Sequence, residues 1–152
     1  MVLLQKRDQG GLLAGLWECP TSVVDEAVPA AQVAAELLAL SRQLAADAAG
    51  SCDVSQLVQH LNALPVSDVR PAGVPFVHMF SHIHRSVRVF GAKVDLHVTA
   101  KARPPPPAAA AFARANNPKA QLHSVSRLAA AGIPTLTRKV LASAAAVLGF
   151  VL

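Results

Sequence analysis

The sequence predicts an α+β domain in which a mixed β-sheet is flanked by helices. Three observations support this prediction: a strand pattern at the start of the chain, two amphipathic helical patterns between residues 29 and 64, and a β-hairpin pattern over residues 74–98. A chain of 152 residues is long enough to form one domain with a hydrophobic core. Much of its apolar content is alanine, so the larger aliphatic residues, phenylalanine and Trp17 must supply most of the buried area.

The first two predicted elements are short strands. Residues 2–7 form a strand pattern that begins with the chain, and residues 8–11 contain two glycines typical of a turn. Residues 12–20 then predict an apolar loop and a second strand that Pro20 ends. Because no residue precedes the first strand, we expect the chain to be a fragment that lacks an N-terminal strand of its fold.

Helical periodicity follows. Residues 29–48 place six side chains on one face at helical spacing: Ala34, Leu37, Leu38, Ser41, Leu44 and Ala45. Residues 51–64 repeat the pattern until Pro65. Residues 122–130 also predict a helix. A last helix is predicted over residues 138–148, with Thr135 or Thr137 as its cap.

The predicted hairpin carries the residues of greatest functional interest. A strand at residues 74–76 leads into the run 77–84, a longer strand at 86–90 leads out of it, and Gly91 is a candidate bulge or bend. Phe80, Ser81 and His82 lie in the middle of this run. An aromatic ring, a hydroxyl and an imidazole together can stack, hydrogen-bond a base edge and contact a phosphate. We hypothesise that these residues read a damaged DNA base. In a purely structural interpretation, Phe80 is a core residue and Ser81 a turn residue.

Charge divides the chain into two halves. Residues 1–70 carry four basic and eight acidic side chains, whereas residues 71–152 carry ten basic ones and only Asp95. The basic half predicts an anionic partner, although a basic solvated surface would have the same composition. Within this half, a Pro/Ala-rich stretch at about residues 103–120 is of low complexity and favours polyproline II.

The composition also argues against several classes of protein. Two cysteines, Cys19 and Cys52, cannot provide four thiolates for an iron–sulfur cluster or a four-cysteine zinc site, and no context supports a disulfide between them. No signal peptide precedes residue 5, and the apolar tail 141–152 is about half the length of a membrane span. We therefore expect a soluble intracellular protein without a membrane partner.

Four runs of residues resemble one known family. The runs LLQKR (3–7) and GLLAGLWECP (11–20) resemble the Nudix, or MutT-like, fold. Three motifs look more specifically like the C-terminal domain of MutY-type adenine DNA glycosylases: LLAGLWE (12–18), VHMFSHIH (77–84) and GIPTLTRKVL (132–141). The resemblance covers roughly residues 1–100 and 122–142, in the family's order, and makes the Pro/Ala segment an insertion in a single domain over residues 1–148.

The resemblance implies a function in base excision repair. A domain of this kind recognises 8-oxoguanine opposite adenine in double-stranded DNA, while a separate helical domain removes the adenine. Phe80, Ser81 and His82 match the family's damage-recognition loop, with Ser81 at the Hoogsteen edge of 8-oxoguanine and the other two supporting the loop or the DNA backbone. The resemblance also implies a monomer, other repair or replication proteins as partners, and the nucleus in a eukaryote, with the mitochondrion or plastid as alternatives.

The sequence can also be compared with the catalytic motifs of two activities, Nudix hydrolysis and glycosylase base removal. The Nudix hydrolase pattern G-x5-E-x7-R-E-U-x-E-E, laid without gaps after Pro20, places Leu37, Leu40 and Ser41 at its last three glutamates. These side chains cannot replace carboxylates as Mg²⁺ ligands. The parent glycosylases hold their catalytic carboxylate, helix-hairpin-helix and 4Fe-4S cluster in a preceding domain that nothing here matches. We therefore predict no cofactor and no catalytic residue in this chain.

Three alternatives remain at this stage. One is a Mg²⁺-dependent Nudix nucleotide pyrophosphohydrolase, and another is a degenerate Nudix domain that binds proteins through its basic half. The third is a metal site built from His78, His82 and His84, with Cys19 or a carboxylate completing the ligand set.

Overall fold

The computed structural model describes residues 1–7, 10, 13–48, 52–80, 82–95, 119–130 and 132–151. Their elements are, in order, β1 (Val2–Lys6), β2 (Trp17–Glu18), α1 (Ala30–Asp47), α2 (Cys52–Ala63), β3 (Arg70–Pro71), β4 (Phe76–Phe80), β5 (Ile83–Val87), β6 (Phe90–Gly91), β7 (Ala120–His123) and α3 (Thr135–Leu148). Short 3-10 helices, Val66–Asp68 and Val125–Ala130, precede β3 and α3. The predicted α+β class is confirmed.

Strand β1 is the centre of a three-stranded sheet with the order β2-β1-β7. Both of its pairings are antiparallel, and Leu3 lies opposite Leu122 of β7. Successive side chains of a strand point to opposite faces. Leu4, which is fully buried, accordingly packs with Leu141 of α3, while Leu3 packs against the buried residues of α1 and α2. The sheet therefore separates the helical pair α1 and α2 from α3.

Helices α1 and α2 occur where the apolar periodicity predicts them. Leu38 and Ala45 of α1 pack on Leu57 and Leu61 of α2 in one buried cluster. Arg42 adds a polar link, since its guanidinium donates hydrogen bonds to the carbonyls of Leu61, Asn62 and Leu64 at 2.9, 3.4 and 3.1 Å. Carbonyls at the end of a helix have no partner within it. Arg42 thus closes the C-terminal end of α2 from the neighbouring helix.

The described strands form three small sheets, all with antiparallel pairs, rather than one mixed sheet. Besides β2-β1-β7, they are the pairs β3-β6 and β4-β5. The predicted second sheet strand is confirmed as β2, although it is only two residues long. The absence of an N-terminal strand from the fold stays a prediction.

Three local predictions are wrong. Residues 122 and 123 do not start the predicted helix but belong to strand β7, because they pair along β1, and only a 3-10 helix follows. Gly91 lies opposite Arg70 in a regular pair and is not a bulge. Helix α3 begins at Thr135 after Pro134, with no side-chain cap, and Thr137 is buried in it.

Several predicted features lie outside the described residues. They include the helix end at Gly50 and most of the Pro/Ala-rich stretch, although Ala120, at its predicted limit, already belongs to β7. In the part of the chain that the structure describes, none of the helices combines the length and the apolar character that a membrane span requires.

Helix α3 fixes the base of the β4–β5 hairpin. The Ser143 hydroxyl donates a hydrogen bond of 2.8 Å to the carbonyl of Ala72, a residue that is almost fully buried. The next residue, Gly73, has φ +85°, and a Cβ there would collide with the Ser143 hydroxyl. The amide of Ala72 also donates to the Val89 carbonyl at 2.7 Å. The chain that enters the hairpin is therefore held both to α3 and to the chain that leaves it.

A second tight arrangement surrounds Trp17. Its ring meets the His123 ring edge-on, with centroids 4.7 Å apart, and the Lys6 ammonium lies 5.8 Å from the indole. His123 is half-buried, but its Nε2 atom is enclosed and has no hydrogen-bond partner among the described residues. Desolvation by this burial lowers the pKa of His123. Trp17 is thus a core residue, as its sequence context predicts.

We expect Gly73→Ala to reduce the free energy of unfolding by about 1–3 kcal/mol, because it adds a strained positive φ to a steric collision with Ser143. Gly10→Ala is the matched control, since a Cβ at Gly10 has nothing within 4 Å and its effect should stay within about 0.5 kcal/mol. Urea unfolding measures both. Equal effects of the two substitutions would contradict the close packing of α3 at Gly73.

His123 should make stability depend on pH. Its pKa is lower in the folded protein, so the unfolded chain takes up the proton first as pH falls through about 6.5. The free energy of unfolding should therefore decrease from pH 7.5 to pH 5.5. In His123→Phe this decrease should be smaller, whereas His84→Gln, at an exposed position, should retain it. Urea titrations at each pH test this, and an unchanged slope in His123→Phe would refute it.

Candidate nucleic-acid interface

The candidate interface is the hairpin of β4 and β5. Its five antiparallel pairs run from Phe76 opposite Val87 to Phe80 opposite Ile83. Only residues 81 and 82 separate the paired ends. Both strands therefore extend further towards the tip than predicted, since β4 ends at residue 80 and β5 begins at residue 83. Most of the run 77–84 is strand, and only residues 81 and 82 remain between the paired ends.

The structure locates the three predicted recognition residues only in part. Phe80 is the last residue of β4, His82 is an exposed turn residue, and Ser81 lies outside the described residues. All three are consecutive in sequence, so they belong to the end of the hairpin that is farthest from its base at Ala72 and Val89. Their roles in binding a base stay predictions.

The two faces of the hairpin differ in their surroundings. Phe76 and Val87 share one face and pack against the buried cluster of Ala72, Val89 and Ala144. On the other face, Val77 and Met79 of β4 are 64% and 67% exposed. Their cross-strand neighbours, Ser86 and His84, are exposed as well. One face thus attaches the hairpin to α3, and the other is open to solvent.

Positive charge surrounds the hairpin. The chain contains no acidic residue between Asp68 and Asp95, and this segment holds four basic residues and three histidines: Arg70, Arg85, Arg88, Lys93, His78, His82 and His84. His82, His84 and Arg85 are exposed on the hairpin itself. A protruding element without negative charge is complementary to a phosphate backbone.

Arg88 has a structural role instead of a free surface position. Its Nη1 donates a hydrogen bond of 3.0 Å to the Val28 carbonyl, in the loop that precedes α1. Its Nη2 is enclosed and has no hydrogen-bond partner among the described residues. Arg88 therefore joins the outgoing leg of the hairpin to the α1 side of the molecule.

The histidines do not converge on a metal site. His78 pairs with Arg85, and His84 pairs with Met79, so the two imidazoles lie on opposite faces of the hairpin. Within the described ranges, no three histidine, cysteine or acidic residues are grouped so that they could hold a metal ion. The geometry of His78 and His84 argues against the metal site considered from the sequence.

A cavity of about 1310 Å³ lies between the helices and the chain of residues 85–95. Its walls are mostly aliphatic. Helix α1 contributes Leu37 and Ser41, two of the three positions at which the aligned Nudix motif would carry metal-binding glutamates. Glu18, Glu26 and Asp95 also line the cavity, but they do not restore the spacing of the motif. The residues present therefore do not fit the Mg²⁺ site of a Nudix hydrolase.

Cys19 is another reactive group on the wall of this cavity. It is a free thiol, packed near Leu4 and Leu141. Burial, with a smaller effect of the neighbouring Glu18 carboxylate, raises the pKa of Cys19 to about 12. Because nucleophilic attack and metal binding both need the thiolate, Cys19 is poorly suited to either at neutral pH.

Sequence reasoning missed Val77, Met79, His84 and Arg85 as surface residues of the hairpin. No correct signal was present in the sequence, because alternation over residues 77–79 predicts Val77 and Met79 on a buried face and His78 on an exposed one. The structure shows the reverse, with Val77 and Met79 exposed and His78 half-buried.

Comparison with known families gives one match. The NUDIX domain family matches residues 1–143, which include β1, the hairpin and most of α3. No curated protein matches the chain.

Cys19 should resist alkylation while the protein is folded. In a Cys52→Ser variant it is the single thiol, and its raised pKa should make its reaction with iodoacetamide at pH 8 at least about tenfold slower than in urea. Cys19→Ser in the presence of Cys52 is the matched control for reagent access elsewhere. Equal rates for Cys19 in the folded and the unfolded chain would contradict its burial.

Proposed function

Because this chain belongs to the NUDIX domain family, we propose that it is a non-catalytic domain that recognises 8-oxoguanine opposite adenine in duplex DNA. In this proposal it serves the base excision repair of such mispairs by an adenine DNA glycosylase. The observation that carries the proposal is the exposed β4–β5 hairpin, whose end bears Phe80, Ser81 and His82 within a segment free of acidic residues.

The chemistry of 8-oxoguanine suits recognition by a side-chain hydroxyl. Oxidation of guanine changes N7 from an acceptor into an N–H donor and adds a carbonyl at C8. The Ser81 hydroxyl can accept from the first group or donate to the second. Undamaged guanine offers an N7 acceptor and no C8 oxygen. A hydroxyl whose position makes it accept from N7–H, or donate to the C8 oxygen, therefore contacts a group that undamaged guanine lacks. Phe80 and His82 flank Ser81 in sequence.

The shape of the hairpin is compatible with this task. N7 and C8 of a purine lie on its major-groove edge, and the major groove admits a two-stranded β-ribbon. Strands β4 and β5 form such a ribbon, which packs at its base, through Phe76 and Val87, on the buried cluster that includes Ala144 of α3. The exposed imidazoles and Arg85 supply donors for phosphate oxygens on either side of the tip.

Removal of adenine is assigned to another part of the repair enzyme. The 4Fe-4S cluster of the parent family requires four thiolates, and this chain has two cysteines, of which Cys19 is half-buried and has a raised pKa. The residues here therefore do not fit that cluster. In this proposal the chain contributes lesion recognition and no bond cleavage.

Two other functions are consistent with the family match. A Mg²⁺-dependent nucleotide pyrophosphohydrolase is disfavoured by Leu37 and Ser41 at the cavity wall, where carboxylates would be needed. A degenerate module that binds only proteins is disfavoured by the basic character of the hairpin. Turnover of 8-oxo-dGTP by the pure protein would establish the first, and a protein partner without any affinity for DNA would establish the second.

Ser81→Ala should remove the preference for the lesion. We expect the wild type to bind an 8-oxoguanine:adenine duplex more tightly than a guanine:adenine duplex, and the variant to lose about 5- to 100-fold of that preference, since one specific base contact is worth about 1–3 kcal/mol. Binding to the undamaged duplex should change by less than about twofold, because phosphate contacts dominate it.

Fluorescence anisotropy at several salt concentrations measures these affinities. Ser55→Ala, at an exposed position of α2 far along the chain from the hairpin, is the matched control and should behave as wild type. If wild-type protein binds both duplexes equally at every salt concentration, the proposed recognition is wrong for this chain.

A further inference from the structure

The open face of the β4–β5 hairpin is an unexplained surface. Its four residues form two cross-strand pairs, Val77 with Ser86 and Met79 with His84, and all four are exposed. We call this group the outer face. Its apolar members are unusual, because Val77 and Met79 expose about two thirds of their surface.

Exposed apolar residues concentrate near this hairpin. Four of the nine exposed large apolar residues in the described part of the chain, Val74, Val77, Met79 and Ile83, belong to the segment 74–83, and Val77 and Met79 of these lie on the outer face. Contiguous exposed apolar surface on a soluble domain marks a contact site more often than single exposed residues do. The outer face is therefore a candidate contact site for another molecule.

The opposite face is partly occupied. Near the base of the hairpin, Phe76 and Val87 are already packed on Ala72, Val89 and Ala144. Towards the tip the same face exposes Arg85 and Ile83. The outer face differs in that all four of its residues are exposed along the length of the hairpin.

The positive charge of the segment around the hairpin indicates which class of partner the outer face binds. The segment 69–94 contains no carboxylate, and its four lysine and arginine residues give it a net positive charge. The outer face adds hydrogen-bond donors, the imidazole N–H of His84 and the hydroxyl of Ser86. Aliphatic groups beside such donors match the alternating sugar and phosphate groups of a nucleic-acid backbone. An acidic protein would also be attracted, but the DNA backbone fits the donors and the apolar groups together.

We propose that the outer face lies against the sugar–phosphate backbone of duplex DNA beside the recognised base. Val77 and Met79 contact the sugars, and His84 and Ser86 donate hydrogen bonds to phosphate oxygens. This inference rests on the proposed function, since it takes the hairpin to be the DNA-binding element. It assigns two separate contributions to the hairpin. The tip recognises the base, and the outer face contributes binding affinity that does not depend on the DNA sequence or on the damage.

The two methionines of the chain allow a direct footprint. Met1 and Met79 are the only ones, and they are 59% and 67% exposed. Peroxide oxidises methionine according to its exposure, so saturating duplex should slow the oxidation of Met79 at least about fivefold in protein that retains Met1. Met1 is the internal control and should react at an unchanged rate. Peptide mass spectrometry follows both, with undamaged and 8-oxoguanine duplexes in parallel.

The footprint separates the inference from the proposed function. Protection of Met79 by both duplexes supports the outer face as a DNA surface, even if the protein shows no preference for the lesion. A preference for the lesion without protection of Met79 overturns the inference and leaves the proposed function standing. Protection by an added protein but not by either duplex also overturns it, and assigns the face to a protein partner.

Substitutions test the same two contributions. Met79→Ala and His84→Ala should each weaken binding to both duplexes by the same factor, about 3- to 10-fold, because backbone contacts carry no sequence information. Their preference for 8-oxoguanine should equal that of wild type. Ile83→Ala is the matched control on the other face and should leave the affinity for the undamaged duplex unchanged. Thermal unfolding verifies that each variant is folded, and a loss of affinity in Ile83→Ala equal to that in Met79→Ala would contradict the assignment of the face.

Discussion

The contact between α3 and the turn at Ala72 and Gly73 is the constraint on which the hairpin depends. The Ser143 hydroxyl satisfies the buried carbonyl of Ala72, and Gly73 has no side chain that would push the helix away. A few residues further along α3, a Cβ at Gly91 would meet Leu148 at 2.7 Å. The helix thus approaches both legs of the hairpin at places where only a glycine backbone allows contact. Since the legs are also joined by the hydrogen bond between Ala72 and Val89, the base of the hairpin is fixed at both legs.

The fold separates two surfaces that a Nudix protein can use. The interior surface is the cavity beside α1, where Leu37 and Ser41 replace the acidic groups of a hydrolase. The exterior surface is the hairpin, which has exposed donors and apolar groups and belongs to a segment, residues 69–94, without acidic residues. The two surfaces meet along β5, because Arg85, Ser86 and Val87 also line the cavity, together with Glu18 and Glu26. In the function proposed above, recognition belongs to the exterior surface and requires no metal ligand in the cavity.

The predictive power of the sequence differed from element to element for physical reasons. Helices α1 and α2 were predicted closely, because their signal is local: apolar residues recur at helical spacing and proline marks a boundary. Strand β7 was not predicted, and a helix was expected to begin at its residue 122. Its partner β1 is more than a hundred residues away in the sequence, so no local pattern indicates the pairing. The role of Gly91 was misjudged for the same reason, since its partner Arg70 lies in a different segment. Of the hairpin, the sequence indicated the position and the residues at its end, whereas the alternation of buried and exposed faces required the register. The tight approach of Ser143 to Gly73 had no sequence signal at all.

The attachment of the hairpin at its base has an evolutionary consequence. The register of β4 and β5 is set by backbone pairing, and their attachment by Phe76 and Val87. Substitutions at exposed positions such as Val77, Met79 and His84 should therefore cost little stability, while those at Ala72, Gly73 or Ser143 disturb the contact with α3. Selection can thus vary the exposed face of the hairpin one side chain at a time, and the same tolerance makes this face a natural place to graft a different surface.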